Sequence, residues 1–453
     1  MTANPLTRSD RRRRRIAAPA IATVSCLAAA ISLSLLAQPI PQKPARPSYL
    51  LAPVPIYSSN PQDPWNRLFA ILFSRRFQVY KTSDFPEAAP FDNSAGENEL
   101  RISTRLFERA ETGDRAIDPL YYPPYNSREG RTQLLEDPTY SEFMTVVQAA
   151  LAENSPRPAI ARAWMQSDLW SAYDILSEPL FKEDRTQELE SRHAAAIDAL
   201  AKLIRKVALS PEEIQSLPDN YEQAKIALAL PDLFHAQGGW LQVQWYPEHA
   251  HDSEAGYRRF SRIFVKPVRT AKNKQKLLDN LRDTERNSPE SLDGAAILIQ
   301  LILIDTQGRL IPTHLTSEVE FRLFQKNPNG QFIKTKIQVC EINRSQLLSQ
   351  PESGGLVSED ENAQAFSGGY TFAAPGFAEG NTVDKQRPVE VKLRTRCINC
   401  HGLDATGLMS FSMKIPPHFH GPAVKQLNPA QFEAADYAIS QKKKYFQSLA
   451  AYF

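Results

Sequence analysis

The sequence predicts an α+β protein, with helices first and strands second. Three observations carry this. Apolar residues recur at helical spacing between about Glu99 and Leu230, they alternate or run continuously from about Trp240 onward, and strong turn signals separate those later runs. The reading divides the chain into 1–37, an export signal or N-terminal membrane anchor; 38–98, a proline-rich tether; 99–230, a helical domain; 231–350, a β-rich domain; 351–388, a linker or long loop; and 389–453, a short C-terminal helical unit.

The first segment is read from charge and hydropathy. Arg11 to Arg15 are five consecutive arginines, and Ile16 to Ala37 follow without a charge. Positive residues before an apolar stretch mark an exported or membrane-anchored chain, with the arginines left in the cytoplasm. Ala28-Ala29-Ala30 offers a cleavage site, so both a cleaved signal and a retained anchor are open. Either places the body outside the cytoplasm. From Pro39 to Pro64 there are eight prolines, which predicts a stiff extended tether.

In the helical region, Leu189, Ala196, Leu200, Leu203, Ile204 and Val207 share one face of a helix over Glu188–Leu209. Ser210-Pro211-Glu212-Glu213 reads as a new start: a capping serine, proline in the first turn and a glutamate three residues on. Ala163 to Leu176 is another helix, whose two tryptophans read as core. His193 lies on the apolar side of its helix and reads as a packed histidine.

Strands follow. Trp240-Leu-Gln-Val-Gln-Trp-Tyr alternates, Ala295 to Ile304 is a continuous apolar run, and Glu318 to Phe324 alternates cleanly. Asp305-Thr-Gln-Gly308 reads as a turn. Asn327-Pro-Asn-Gly330 followed by Gln331 to Cys340 predicts a hairpin. Cys340 reads as a buried, small apolar residue. Val389, Val391 and Leu393 alternate with charged residues and predict a short strand.

That strand leads into Arg394 to Gly421, which holds two of the four cysteines, three of the eight histidines and two of the five methionines. Cys397-Ile398-Asn399-Cys400-His401 is Cys-x-x-Cys-His. Two thiols at this spacing reach the vinyl groups on one edge of a haem, and the adjacent histidine coordinates the iron. A zinc site built from Cys397, Cys400, His418 and His420 needs a histidine pair spaced more widely than this one. A redox disulfide needs a βαβ setting, and none is evident.

The stretch resembles the haem-binding motif of c-type cytochromes. Cys-His-Gly-Leu-Asp-Ala-Thr-Gly is similar to the run common in small bacterial members, with Ala405 in place of a glycine. The resemblance covers about the last 60 residues. It implies one covalent haem c and its iron per chain, Cys397 and Cys400 as attachment sites and His401 as proximal ligand. Ser412 to Pro417 is similar to the loop that carries the second axial ligand, which implies Met413. Met409 is second choice, with His418 and His420 as further candidates, and His235, His249, His251 and His314 as distant ones. Arg394 and Arg396 are positioned to pair with haem propionates or to form an exposed strand face.

The expected function is monohaem electron transfer with a redox protein of the cell envelope, in the bacterial periplasm or at the outer face of the inner membrane. A haem enzyme or gas sensor with an open distal site is one alternative, and an envelope binding module with an accessory haem is another. No residues for a peroxidase-like activity can be assigned, so a non-enzymatic carrier is favoured. A net charge of +2 argues against a nucleic-acid partner. Membrane contact runs through the N-terminal segment if it is uncleaved.

Overall fold

The structure is a computed structural model that describes residues 56–73, 77–78, 100–101, 134–154, 157–177, 179–180, 182–244, 259–268, 292–359, 364–367, 389–392 and 425–453. The N-terminal segment, the Cys-x-x-Cys-His motif and Arg394 and Arg396 lie outside these residues. The α+β class is observed. Eight helices are used below: α1 Pro64–Phe73, α2 Thr139–Ala152, α3 Ala159–Leu176, α4 Gln187–Lys206, α5 Pro211–Gln215, α6 Asn220–Ala227, α7 Arg344–Ser349 and α8 Glu433–Ala450. The strands are β1 Phe77–Gln78, β2 Leu100–Arg101, β3 Leu241–Gln244, β4 Arg259–Pro267, β5 Leu292–Ile304, β6 Leu310–Lys326, β7 Phe332–Ile342, β8 Leu356–Glu359, β9 Gln364–Ser367, β10 Val389–Lys392 and β11 Lys425–Gln426.

Local chemistry sets the helix starts. Thr186 caps α4 by accepting from the Leu189 amide at 3.2 Å, with Glu188 and Glu190 in the first turn and Arg205 and Lys206 in the last. Those charges oppose the ends of the helix dipole. At α5 the expected capping box forms: Ser210 Oγ accepts from the Glu213 amide, and the Glu213 carboxylate accepts from the Ser210 amide. Asp219 caps α6 through the Glu222 amide.

Strands β3 to β8 form an antiparallel meander, and β11 adds to the β3 edge, giving the order β11-β3-β4-β5-β6-β7-β8. The expected turns close it. Asp305 accepts from the amides of Gln307 and Arg309, and Gly308 has φ +73°. A side chain at Gly308 would also meet Phe453, whose Cβ lies 2.8 Å from the position a Cβ would take. The Gly330 amide donates to Asn327 in the β6–β7 turn.

Helices and sheet share a core. One cluster joins Leu200 and Ile204 of α4 to Phe260 of β4 and Ile302 and Ile304 of β5. Trp164 and Trp170 are buried in α3, as expected. The side-chain amide of Gln166 donates to the Ile304 carbonyl at 2.9 Å, and its oxygen accepts from the Ile304 amide at 2.7 Å. The strand end is thus capped by a helix side chain.

Two expectations need correcting. The tether read over 38–98 contains α1, which is buried. Asp63 caps it through the Trp65 amide at 2.9 Å, and Pro64 sits in the first turn, where no amide is needed. The linker read over 351–388 contains β8, the edge strand of the main sheet, and β9, which pairs antiparallel with β10. The helical segment, the β segment and the described part of 389–453 also lie in one compact unit, 49–453.

Replacing Gln166 with leucine leaves both backbone groups of Ile304 without their partner in the core. The expected loss is about 1–3 kcal/mol. It should be read as a lower urea midpoint with an unchanged slope. Ser210→Ala should cost less, about 1 kcal/mol.

Candidate functional site

The described structure frames the motif segment from both sides. Strand β10 leads into it, which agrees with the short strand expected there. Strand β11 leads out of it. Lys425 and Gln426 pair with Gln244 and Val243 of β3, and the Leu427 amide donates to the Gln242 carbonyl at 2.9 Å. The chain then crosses the sheet. Phe432 packs edge-on to Phe260, with ring centroids 6.0 Å apart, and lies 4.7 Å from the His314 ring. Helix α8 follows and places Phe446 beside Trp170.

Arg262 of β4 is the clamp on this crossing. Its guanidinium is buried and donates to Gln242 Oε1, to Gln300 Oε1 at 3.4 Å and to the Pro429 carbonyl. It also lies over the rings of Phe234, Phe264 and Phe432, at 4.7, 5.8 and 5.9 Å. Burial lowers its pKa to about 10, against the opposing pull of Asp219, so it stays charged at neutral pH. Its planar fork holds these acceptors in fixed directions, where an ammonium group is a compact point charge.

His314 and Asp219 flank the clamp. His314 Nδ1 is 3.4 Å from an Asp219 carboxylate oxygen. Burial pushes the imidazole pKa down, Asp219 opposes this and Arg262 adds to it. Burial raises the Asp219 carboxyl above its ordinary range. The arrangement fixes and orients a chain segment.

Among the described residues, Glu222, Asp232 and His235 bring ligand-type atoms within 4.8 Å of one another. Lys225 Nζ lies 2.6 Å from Glu222 and 3.5 Å from Asp232, so the protein supplies the cation itself. The arrangement is an ion-pair network.

Cys397, Cys400, His401, Met409, Met413, His418, His420, His249 and His251 lie outside the described residues. Of the remaining histidines, His193 Nε2 donates to the Leu176 carbonyl at 2.5 Å, as befits a packed residue. Cys340 is fully buried in β7 opposite Val319. Arg262 was not singled out from the sequence. In Arg259-Phe-Ser-Arg-Ile-Phe-Val, an arginine among alternating residues reads as outward-facing. Only the flanking Gln242 and Gln300, also polar at inward positions, carry a signal of a buried partner.

No protein-family model matches the chain, and no curated protein or solved structure matches it.

Replacing Arg262 with methionine leaves Gln242 and the Pro429 carbonyl without their shared donor. The expected cost is about 1–3 kcal/mol. Hydrogen exchange should locate it: the Leu427 amide and the first turn of α8 lose protection, while amides of α2 and α4 do not. Uniform loss across the molecule would show that Arg262 holds the whole core and not this crossing.

Proposed function

We propose that this chain is a monohaem c-type cytochrome that exchanges electrons with a redox protein outside the cytoplasm. The observation that carries the reading is Cys397-Ile398-Asn399-Cys400-His401. The donor set fits a covalent haem c. Each thiol can add its S–H across a vinyl double bond, with no leaving group, and the neighbouring imidazole supplies a nitrogen to iron. Cys340 is buried in a core strand.

When bound, the haem supplies reversible one-electron chemistry at iron. The residues of the chain do the rest. His401 and Met413 would hold the iron, and Pro416 and Pro417 would limit the conformations open to the chain after Met413. Methionine opposite histidine raises the potential and closes the iron to exogenous ligands. The arginines and the apolar stretch that follows them support export of the chain or its retention at the outer face of the inner membrane. Among the described residues, no helix is long and apolar enough to cross a membrane.

The test uses full-length protein made in a host with cytochrome c maturation machinery. After denaturation, haem should remain on the chain, and Cys397→Ala with Cys400→Ala should abolish that attachment. A full complement of bound haem in the double variant would falsify the reading. The native reduced spectrum should ignore carbon monoxide. Met413→Ala should open the iron to carbon monoxide and lower the potential, while Met409→Ala should change little. The reverse pattern would assign the ligand to Met409. Ready binding of carbon monoxide by the unsubstituted protein would instead favour a haem enzyme or gas sensor.

A further inference from the structure

The main sheet ends at β8, which is much shorter than the strand it covers. Its residues pair with Val339 to Ile342, whereas β7 begins at Phe332. The next strand, β9, pairs with β10 and not with β7. Among the described residues, nothing pairs with the outer side of β7 from Lys334 to Gln338. The direction of the backbone groups there follows from the paired part of the strand. The Asn343 amide donates to the Gly355 carbonyl at 2.7 Å, and backbone groups alternate in direction along an antiparallel strand. Odd-numbered residues of β7 therefore face the β8 side. Beyond the end of β8, Thr335 and Ile337 each turn an amide and a carbonyl outward. An added strand can take all of these groups.

The sequence gives this edge a sign. Lys334 and Lys336 are the only charged residues from Gln331 to Cys340. Lys336 is exposed and lies opposite Leu323, so β6 offers it no acid. Ile333 is the extra residue of a bulge and is 60 % exposed, one of two large apolar side chains so exposed among the described residues. Ile337 is half-buried. A second copy fits this edge poorly. Antiparallel copies bonded at Thr335 set lysine opposite lysine, and like charges so placed repel. We propose that the outer edge of β7, residues 334–338, is a docking strand for an extended segment of a partner protein that alternates apolar and acidic residues, its acids opposite the lysines. Docking there does not depend on the haem.

Hydrogen exchange on the full chain tests this. The probe is a capped peptide of alternating valine and glutamate, and its valine–lysine counterpart is the control. In the chain alone, the Thr335 and Ile337 amides should exchange fast, while those of Lys336 and Gln338, which face β6, are protected. The glutamate peptide should slow Thr335 and Ile337 by about tenfold or more, and the lysine peptide should not. Lys336→Glu should weaken the glutamate peptide by about fivefold and shift the preference toward the lysine peptide. Should that variant not fold, the peptide swap on the unsubstituted chain decides. Thr335 and Ile337 amides already protected in the chain alone overturn the proposal: another part of the chain then holds the edge, or a second copy if the protection falls on dilution. No slowing by the glutamate peptide also overturns it. Equal slowing by both peptides overturns the acidic partner.

Discussion

Strand β5 imposes the main constraint on this structure. It runs for thirteen residues and is buried along nearly its whole length on both faces. A buried aliphatic side chain contributes about 1.5–3 kcal/mol, but only when something covers it. A central strand of this kind needs two layers. Helices α3 and α4 supply one through Phe260, Ile302 and Ile304. The alternation of the neighbouring strands shows the same demand, since β4 puts Phe260 and Phe264 on one side and Ile263 and Val265 on the other.

Two buried guanidiniums answer a second demand, that irregular chain be held against a core made of regular elements. Arg344 at the start of α7 meets Asp168 of α3, and Tyr57 donates to the same carboxylate. Burial, and then the Asp168 charge, push the Tyr57 phenol well above its ordinary range, which keeps it a neutral donor. Asn66 completes the grip, accepting from the amides of Ile56 and Tyr57 and donating to the carbonyls of Ser58 and Asn60. Arg262 does the corresponding work where the chain returns to the sheet. A buried pair of this kind contributes little net stability against an apolar replacement, yet removing one partner is expensive. Its value here is placement: each arginine fixes where a non-repetitive stretch enters or leaves the body.

Much of this was legible in the sequence wherever the cause is local. The capping box at Ser210, the turn at Asn327, the packed tryptophans of α3 and the strand at Val389 each depend on residues within a few positions. The misreadings have physical reasons. Pro64 reads with the tether's prolines, although Asp63 before it and the apolar run after it make a helix start. Strand β8 is only four residues long and sits among glycine and serine, so its pattern is too short to see. Arg262 is polar at an inward position, and its partners come from β3, β5 and the chain beyond β11. No local pattern announces a buried arginine whose acceptors are that distant. The candidate site divides in the same way. Cys397, Cys400 and His401 stand out because covalent haem attachment would require that spacing, while the frame around them depends on sheet order.

That division bears on why five residues of chemistry accompany so large a body. Two thioethers retain a haem whatever the surrounding fold does, so retention asks little of the other residues. Burial is a separate requirement. Excluding water from the ring sets the local dielectric, and with it the potential of the iron. The seven-stranded sheet carries an apolar cluster on its second face, made among the described residues by β3, β4, β5 and β6. On the proposed reading, covalent attachment would keep the haem on the chain, and burial of the ring would set the potential at which it exchanges an electron.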